Sequence, residues 1–201
     1  MAGNFNVPFS AASNLPELNQ IKIVDVDDML DFYEPDLYLN INDDGGHVFP
    51  NRFLSLKSGK GLSRLWFLPG LGIYKEEMVE NVHGVSWKTT IGIKLSGDSE
   101  VVRRIIEKMK GRRFLLFAMD NNSKIRMVGT VAMPAKFVVE FSVNQFKGRN
   151  LTFVCESRNQ PYFLNTWDEK ELFGPDFTDE FSDDFLSDEG SSGFMRPSFQ
   201  L

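Results

Sequence analysis

The sequence predicts a mainly β protein, a β-sandwich or barrel-like body carrying one principal amphipathic α-helix. Three stretches carry that expectation. Trp87, Thr89, Ile91, Ile93 and Leu95 alternate with Ser86, Lys88, Thr90, Gly92 and Lys94, the period of two that marks a half-buried strand. Val101, Val102, Ile105, Ile106 and Met109 then recur at helical spacing, with Arg103, Arg104, Glu107, Lys108 and Lys110 on the other faces. After them, short apolar runs separated by turn residues fill positions 113–164 as two hairpins.

Taken in order, residues 1–19 form a polar arm without a period, interrupted by Pro8 and Pro16. Ile21 and Ile23, with Val26, suggest a short strand, and Asp25, Asp27, Asp28 and Asp31 crowd an acidic loop after it. The stretch LDFYEPDLYLNI reads as a strand or an extended aromatic arm. Asn42 to Gly46 is turn chemistry. Residues 52–70 interleave basic side chains with Phe53, Trp66 and Phe67, Gly70 and Gly72 bracket a turn, and residues 74–80 are a strand or its approach. The strand Val85 to Leu95 spans roughly 35 Å at about 3.3 Å per residue. A helix over 98–110 follows. Asp98 and Ser99 are cap-type residues, Lys108 and Lys110 suit the negative helix end, and Gly111 is a natural stop.

FLLFAMD begins the first hairpin, which turns at Asp120-Asn121-Asn122-Ser123 because Asn and Asp tolerate left-handed backbone. Pro134 breaks the pattern. Phe137, Val139, Phe141 and Val143 share the apolar face of the next strand, and Phe141 is expected in one core with Ile105. A turn around Lys147 to Asn150 leads to Leu151, Phe153 and Cys155. Trp167 and Phe173 are candidates to dock on the body.

Composition divides the chain into three segments. Residues 1–50, an acidic N-terminal extension, hold 1 Lys/Arg against 9 Asp/Glu. Residues 51–160 hold 19 against 9, and the basic β-rich body is taken to extend over 51–164. Residues 161–201 hold 2 against 10, and 165–201 read as a flexible acidic tail with spaced Phe residues. A basic block between acidic ends can attract its own termini, a neighbouring copy or a polyanion. The single Cys suits a reducing compartment, the first residues lack a signal-peptide pattern, and no apolar run reaches membrane-spanning length. A soluble, intracellularly made protein with no membrane partner is expected.

Chemical motifs fail on their spacing. Asn40, Asn42, Asp44 and Gly45 match the first half of an EF-hand loop, but its twelfth position falls on Asn51, where a bidentate Glu is needed. In SLKSGKGLS, Leu54 and Gly61 stand where a phosphate loop needs Gly and Ser or Thr. His47 and His83 are the only histidines and Cys155 the only thiol, on an apolar strand face where an inert buried thiol is the usual case. The expectation is no catalytic residue, no cofactor and no metal.

The long alternating strand, the helix VVRRIIEKM, then GRRFLLFAMDNNSKIRMVGT, a Pro and a last hairpin closing in GRNLTFVCESRNQPYFL resemble small tail-associated structural proteins of tailed bacteriophages and prophages, especially those of Bacteroidetes-type hosts. Gly129-Thr130 and Pro161-Tyr162-Phe163-Leu164 match that pattern, whereas the turn at Asp120 to Ser123 lacks its usual Gly. The resemblance covers residues 74–164. It implies a virion localisation, as a component of a tail tube, distal tail, neck or baseplate working as a ring or stacked rings. The partners would be the protein itself and other virion proteins. The candidate interface is Asp179, Phe181, Asp183, Asp184 and Phe185 of the tail with Arg103, Arg104, Arg112 and Arg113 of the body. The alternative is a single-stranded nucleic-acid-binding protein, with Phe53, Trp66, Phe67 and Trp87 as stacking residues and an acidic partner-recruiting tail.

Overall fold

The computed structural model describes residues 18–32, 48–49, 54–65, 67–82, 84–96, 100–142 and 148–173. The arm before Leu18, the turn at Asn42 to Gly46, the caps Asp98 and Ser99, and the tail from residue 174 lie outside them. So do Phe53, Trp66, Val143 and both histidines.

Among the described residues eleven strands form: β1 (Leu18–Asp25), β2 (Met29–Phe32), β3 (Leu54–Leu56), β4 (Ser63–Leu65), β5 (Gly72–Asn81), β6 (Gly84–Ser96), β7 (Arg113–Asp120), β8 (Ile125–Val128), β9 (Ala135–Ser142), β10 (Gly148–Ser157) and β11 (Tyr162–Leu164). The principal helix is α1 (Glu100–Met109); α2 (Glu169–Phe173) is a single short turn. The protein is thus mainly β with one substantial helix, and none of its described helices is long and apolar enough to cross a membrane.

Nine strands join one sheet in the order β11-β8-β7-β9-β10-β6-β5, with β1 also paired to β7 and β4 beyond it. β2 and β3 form a separate two-stranded sheet. The acidic N-terminal region therefore contributes a strand next to β7. The reason lies in its pattern. Leu18, Ile21 and Ile23 face one way because an irregularity between Leu18 and Gln20 shifts the register there. Val24 faces the other way beside Lys22, and both sides of the strand are buried.

β7 is buried on both faces, from Phe114 to Ala118, as its unbroken apolar run requires. On one face Phe114, Leu116 and Ala118 meet Ile91 and Ile93 of β6, Leu151, Phe153 and Cys155 of β10, and Met109 of α1. Ile105 and Ile106 pack against the same cluster, so the helical stripe points inward. Gly111, at φ +75°, ends the helix in left-handed backbone. On the other face Leu115 and Phe117 meet Leu54, Phe49, Tyr162, Leu172 and Phe173. Phe117 and Phe173 stand edge to face at 6.0 Å.

Two expectations need correction. Phe141 is 45 % exposed and is not in the core with Ile105. Phe137 and Val139 on the same face pack against that cluster, but Phe141, further along β9 from its pairing with β7 at Lys136 and Ala135, does not. There Phe141 lies under the Arg149 guanidinium, 4.8 Å from the ring centre. Gly148 to Asn150, read as a turn, are the first residues of β10, paired with Ser142, Phe141 and Glu140.

Candidate interaction surface

The cationic half of the sequence-derived interface is held within the chain. Arg112 Nη1 lies 3.2 Å from Asp25 Oδ2 and Arg113 Nη2 lies 3.4 Å from Asp27 Oδ1. Lys60 reaches Asp28 at 3.3 Å, and Lys57 Nζ donates to the Asp27 carbonyl at 2.6 Å. The acidic N-terminal region thus meets the basic body locally, where β1 ends in the short 3-10 turn Val26–Asp28. Asp25 itself caps that turn by accepting from the Asp27 N–H. Arg104 pairs with Glu100 one turn back along α1, and Arg103 is exposed on the same helix. Asp179, Phe181, Asp183, Asp184 and Phe185 lie outside the described residues. Among those residues no group of three His, Cys, Asp or Glu side chains is disposed to hold a metal ion.

Two polar features were not legible in the sequence. Lys22 is 1 % exposed; its ammonium donates to the Trp167 carbonyl at 2.8 Å and sits 4.2 Å from the Trp167 ring centre. Trp167 Nε1 donates to Gln20 Oε1, so the segment leading into α2 is fastened to β1. The second feature spans four strands. Arg126 of β8 donates to Asp120 Oδ2 at 2.9 Å and covers the rings of Tyr74 and Phe163 at 5.1 and 5.3 Å. The Tyr74 hydroxyl donates to Glu76, whose carboxylate is 4.0 Å from Arg126 Nε. Burial, then the Glu76 carboxylate, holds the Tyr74 phenol well above its ordinary pKa. Burial works against the Asp120 carboxylate, but hydrogen bonds from Arg126 and from the Lys124 and Asn122 N–H groups outweigh it and lower its pKa. This cluster ties β5 to β8, two strands that do not pair.

The described cleft beside Thr130, Met133 and Cys155 has about 20 Å³ of room, enough for about one water. Cys155 donates weakly to the Met133 carbonyl, and burial, with a smaller contribution from Glu156, pushes its thiol up to about 11. A thiol in that state is not an activated nucleophile.

What stands open is the β5–β6 hairpin. β5 is the last strand of its sheet and, among the described residues, pairs with β6 alone. Near the hairpin tip Met78, Val79, Val82 and Val85 are exposed, Met78 at 63 % and Val82 at 96 %. Ile73 is exposed on the same strand. The sequence carried part of this signal, because residues 74–80 read as a strand or its approach; their place at the sheet edge could not be read. No family model, curated protein or solved structure matches the chain.

Proposed function

We propose that the protein is a non-enzymatic structural component of a phage virion, assembling in a tail, neck or baseplate through strand-edge and charge-complementary contacts. The observation that carries the reading is the ten-residue β5, which among the described residues has one edge unpaired and exposes apolar side chains towards its tip. A long edge with exposed apolar side chains is a template for another strand. In this reading the nine-stranded sheet curls barrel-like at the Tyr74 end of β5, where the Arg126 cluster bridges β8 and β5, and the stretch from Met78 to the tip stays available to a neighbour. The acidic tail stays flexible until it meets a neighbour. The resemblance of residues 74–164 to phage tail-associated proteins supplies the setting. The nucleic-acid alternative draws less support, since Phe67 packs against the core and Trp87 is half-buried on the core side of β6, leaving neither ring as an open stacking platform.

The test is sedimentation of the full chain over a wide concentration range, beside a truncation ending at Pro175. Concentration-dependent association that weakens on truncation, with low single-stranded DNA affinity throughout, is the expected result. A monomer at every concentration, with salt-sensitive DNA binding that tightens on truncation, would overturn the reading.

A further inference from the structure

We infer that Arg126 is an acid-released clasp that pins β5 to β8 and sets how much of β5 a neighbour can reach. That control of access rests on the assembly reading; the clasp itself does not.

β5 is fastened unevenly along its length. Its start is wedged, since a Cβ added to Gly72 would lie 2.9 Å from the Leu18 Cβ and closer still to the Phe67 ring. Lys94 donates its N–H to the Leu71 carbonyl, and the ladder to β6 then runs without a shift to Asn81 opposite Gly84. In an antiparallel ladder bonded pairs recur every second residue, so Tyr74, Glu76 and Met78 turn their N–H and C=O away from β6. On that side, among the described residues, no strand pairs with β5. Side chains hold it instead, and they converge on one guanidinium. Arg126 is 2.9 Å from the Asp120 carboxylate and 4.0 Å from that of Glu76, with the Tyr74 and Phe163 rings at 5.1 and 5.3 Å. Two residues further along the same face Met78 is 63 % exposed, and Val82 at the turn is 96 % exposed. The seam between β5 and β8 is therefore closed as far as Glu76 and open from Met78 on, with Arg126 at the boundary.

A strand bonded on one edge opens locally more easily than the strands inside its sheet. Peeling β5 from its tip back past Glu76 breaks the Arg126 contacts, so their loss shows first in β5. The titratable groups facing Arg126 are Asp120 from β7 and Glu76 and Tyr74 from β5; β11 brings only the Phe163 ring. Burial, then Glu76, holds the Tyr74 phenol above its ordinary range, so it stays protonated and alkali does not open the clasp near neutrality. Acid does. Burial opposes the Asp120 charge, but Arg126 and the Lys124 and Asn122 N–H groups overcome it and hold the carboxyl below its ordinary range. Its stabilising bond to Arg126 is thus present above the unfolded value of about 3.9 and lost as pH falls through the lower folded value. Protonating Glu76 removes the second negative charge beside the guanidinium. Once released, the backbone groups of Tyr74 and Glu76 join those of the tip as a template for a neighbour's strand.

Hydrogen exchange of the full chain, read by peptide and corrected for the intrinsic rate at each pH, tests the clasp. Arg126→Met keeps a long side chain and removes the charge. At about pH 7 exchange over β5 should quicken about tenfold or more, while β10 exchanges as in the parent. Glu76→Gln leaves Asp120 paired with Arg126 and should act in the same direction by about threefold; it carries the test if Arg126→Met does not fold. In the parent, β5 should quicken relative to β10 from about pH 5 to about pH 3. That response should shrink in Glu76→Gln and vanish in Arg126→Met. β5 exchanging in step with β10 in every variant, or a pH response that survives Arg126→Met, overturns the clasp. Sedimentation tests the control of access, and Arg126→Met should self-associate about threefold more tightly than the parent, or better. Equal association of the two overturns the control of access and leaves clasp and assembly standing. Two monomers with the expected exchange overturn the assembly reading and leave the clasp.

Discussion

Phe117 tests the two-layer arrangement around β7. Its side chain is fully buried and meets Phe173 of α2 edge to face at 6.0 Å. Phe117→Ala removes a ring from a site walled by Leu54, Phe49 and Leu172, on a strand held by β1 and β8 on its two edges. The site has little freedom to collapse, so the loss should fall at about 3–5 kcal/mol. For a chain of this size that corresponds to a fall in Tm of about 6–20 °C. Phe173→Ala, at the rim of the same cluster, should cost less. The double variant should reveal a coupling of about 0.5–1.5 kcal/mol from the ring pair. The assay is urea unfolding of the four proteins, compared at constant m-value. A loss below about 1 kcal/mol for Phe117→Ala, or additive losses in the double variant, would mean that α2 does not cover β7, and the second layer would fall with it.

Phe141→Ala, on an exposed ring, should shift stability by less than about 1 kcal/mol; a loss comparable to that of Phe117→Ala would restore Phe141 to the core. Cys155 should resist a thiol reagent at pH 8 in the folded protein, since burial pushes its thiol up to about 11, and labelling should quicken about tenfold per pH unit below that value. Labelling at the rate of a free thiol would contradict its burial. Because the folded pKa of Asp120 is lowered, its contribution is present above the unfolded value of about 3.9 and is lost as pH falls through the folded value. Asp120→Ala should therefore cost about 1–3 kcal/mol at neutral pH, and the gap to the parent should narrow on acidification; a gap independent of pH would refute the charge-assisted bonding. Gly129 has φ +90°, and a Cβ added there would lie within 3.4 Å of backbone atoms of Phe114, Met133 and Ala135. Gly129→Ala should therefore destabilise by about 1–3 kcal/mol in thermal melts, and an unchanged Tm would show that the turn relaxes.

Local pattern was enough for much of the fold. The alternation from Trp87 to Leu95, the helical stripe ending at Met109, the run FLLFAMD and the Asp120 turn each appear as read, because their periods and turn chemistry are set by neighbours in the chain. The acidic and basic blocks were equally visible. Whether an apolar face is covered depends on residues far away in sequence. Phe137 and Phe141 carry the same side chain on the same face of one strand, yet Phe137 packs against the core cluster and Phe141 is exposed. Nothing local to Lys22 tells that the Trp167 segment, 145 residues on, closes over it. Arg126, Tyr74, Glu76 and Asp120 sit on three strands and have no shared spacing to betray them. A period of two fixes which side chains share a face and which backbone groups share an edge. Only the tertiary packing of distant strands decided that β7 is enclosed on both faces and that β5, among the described residues, pairs with β6 alone.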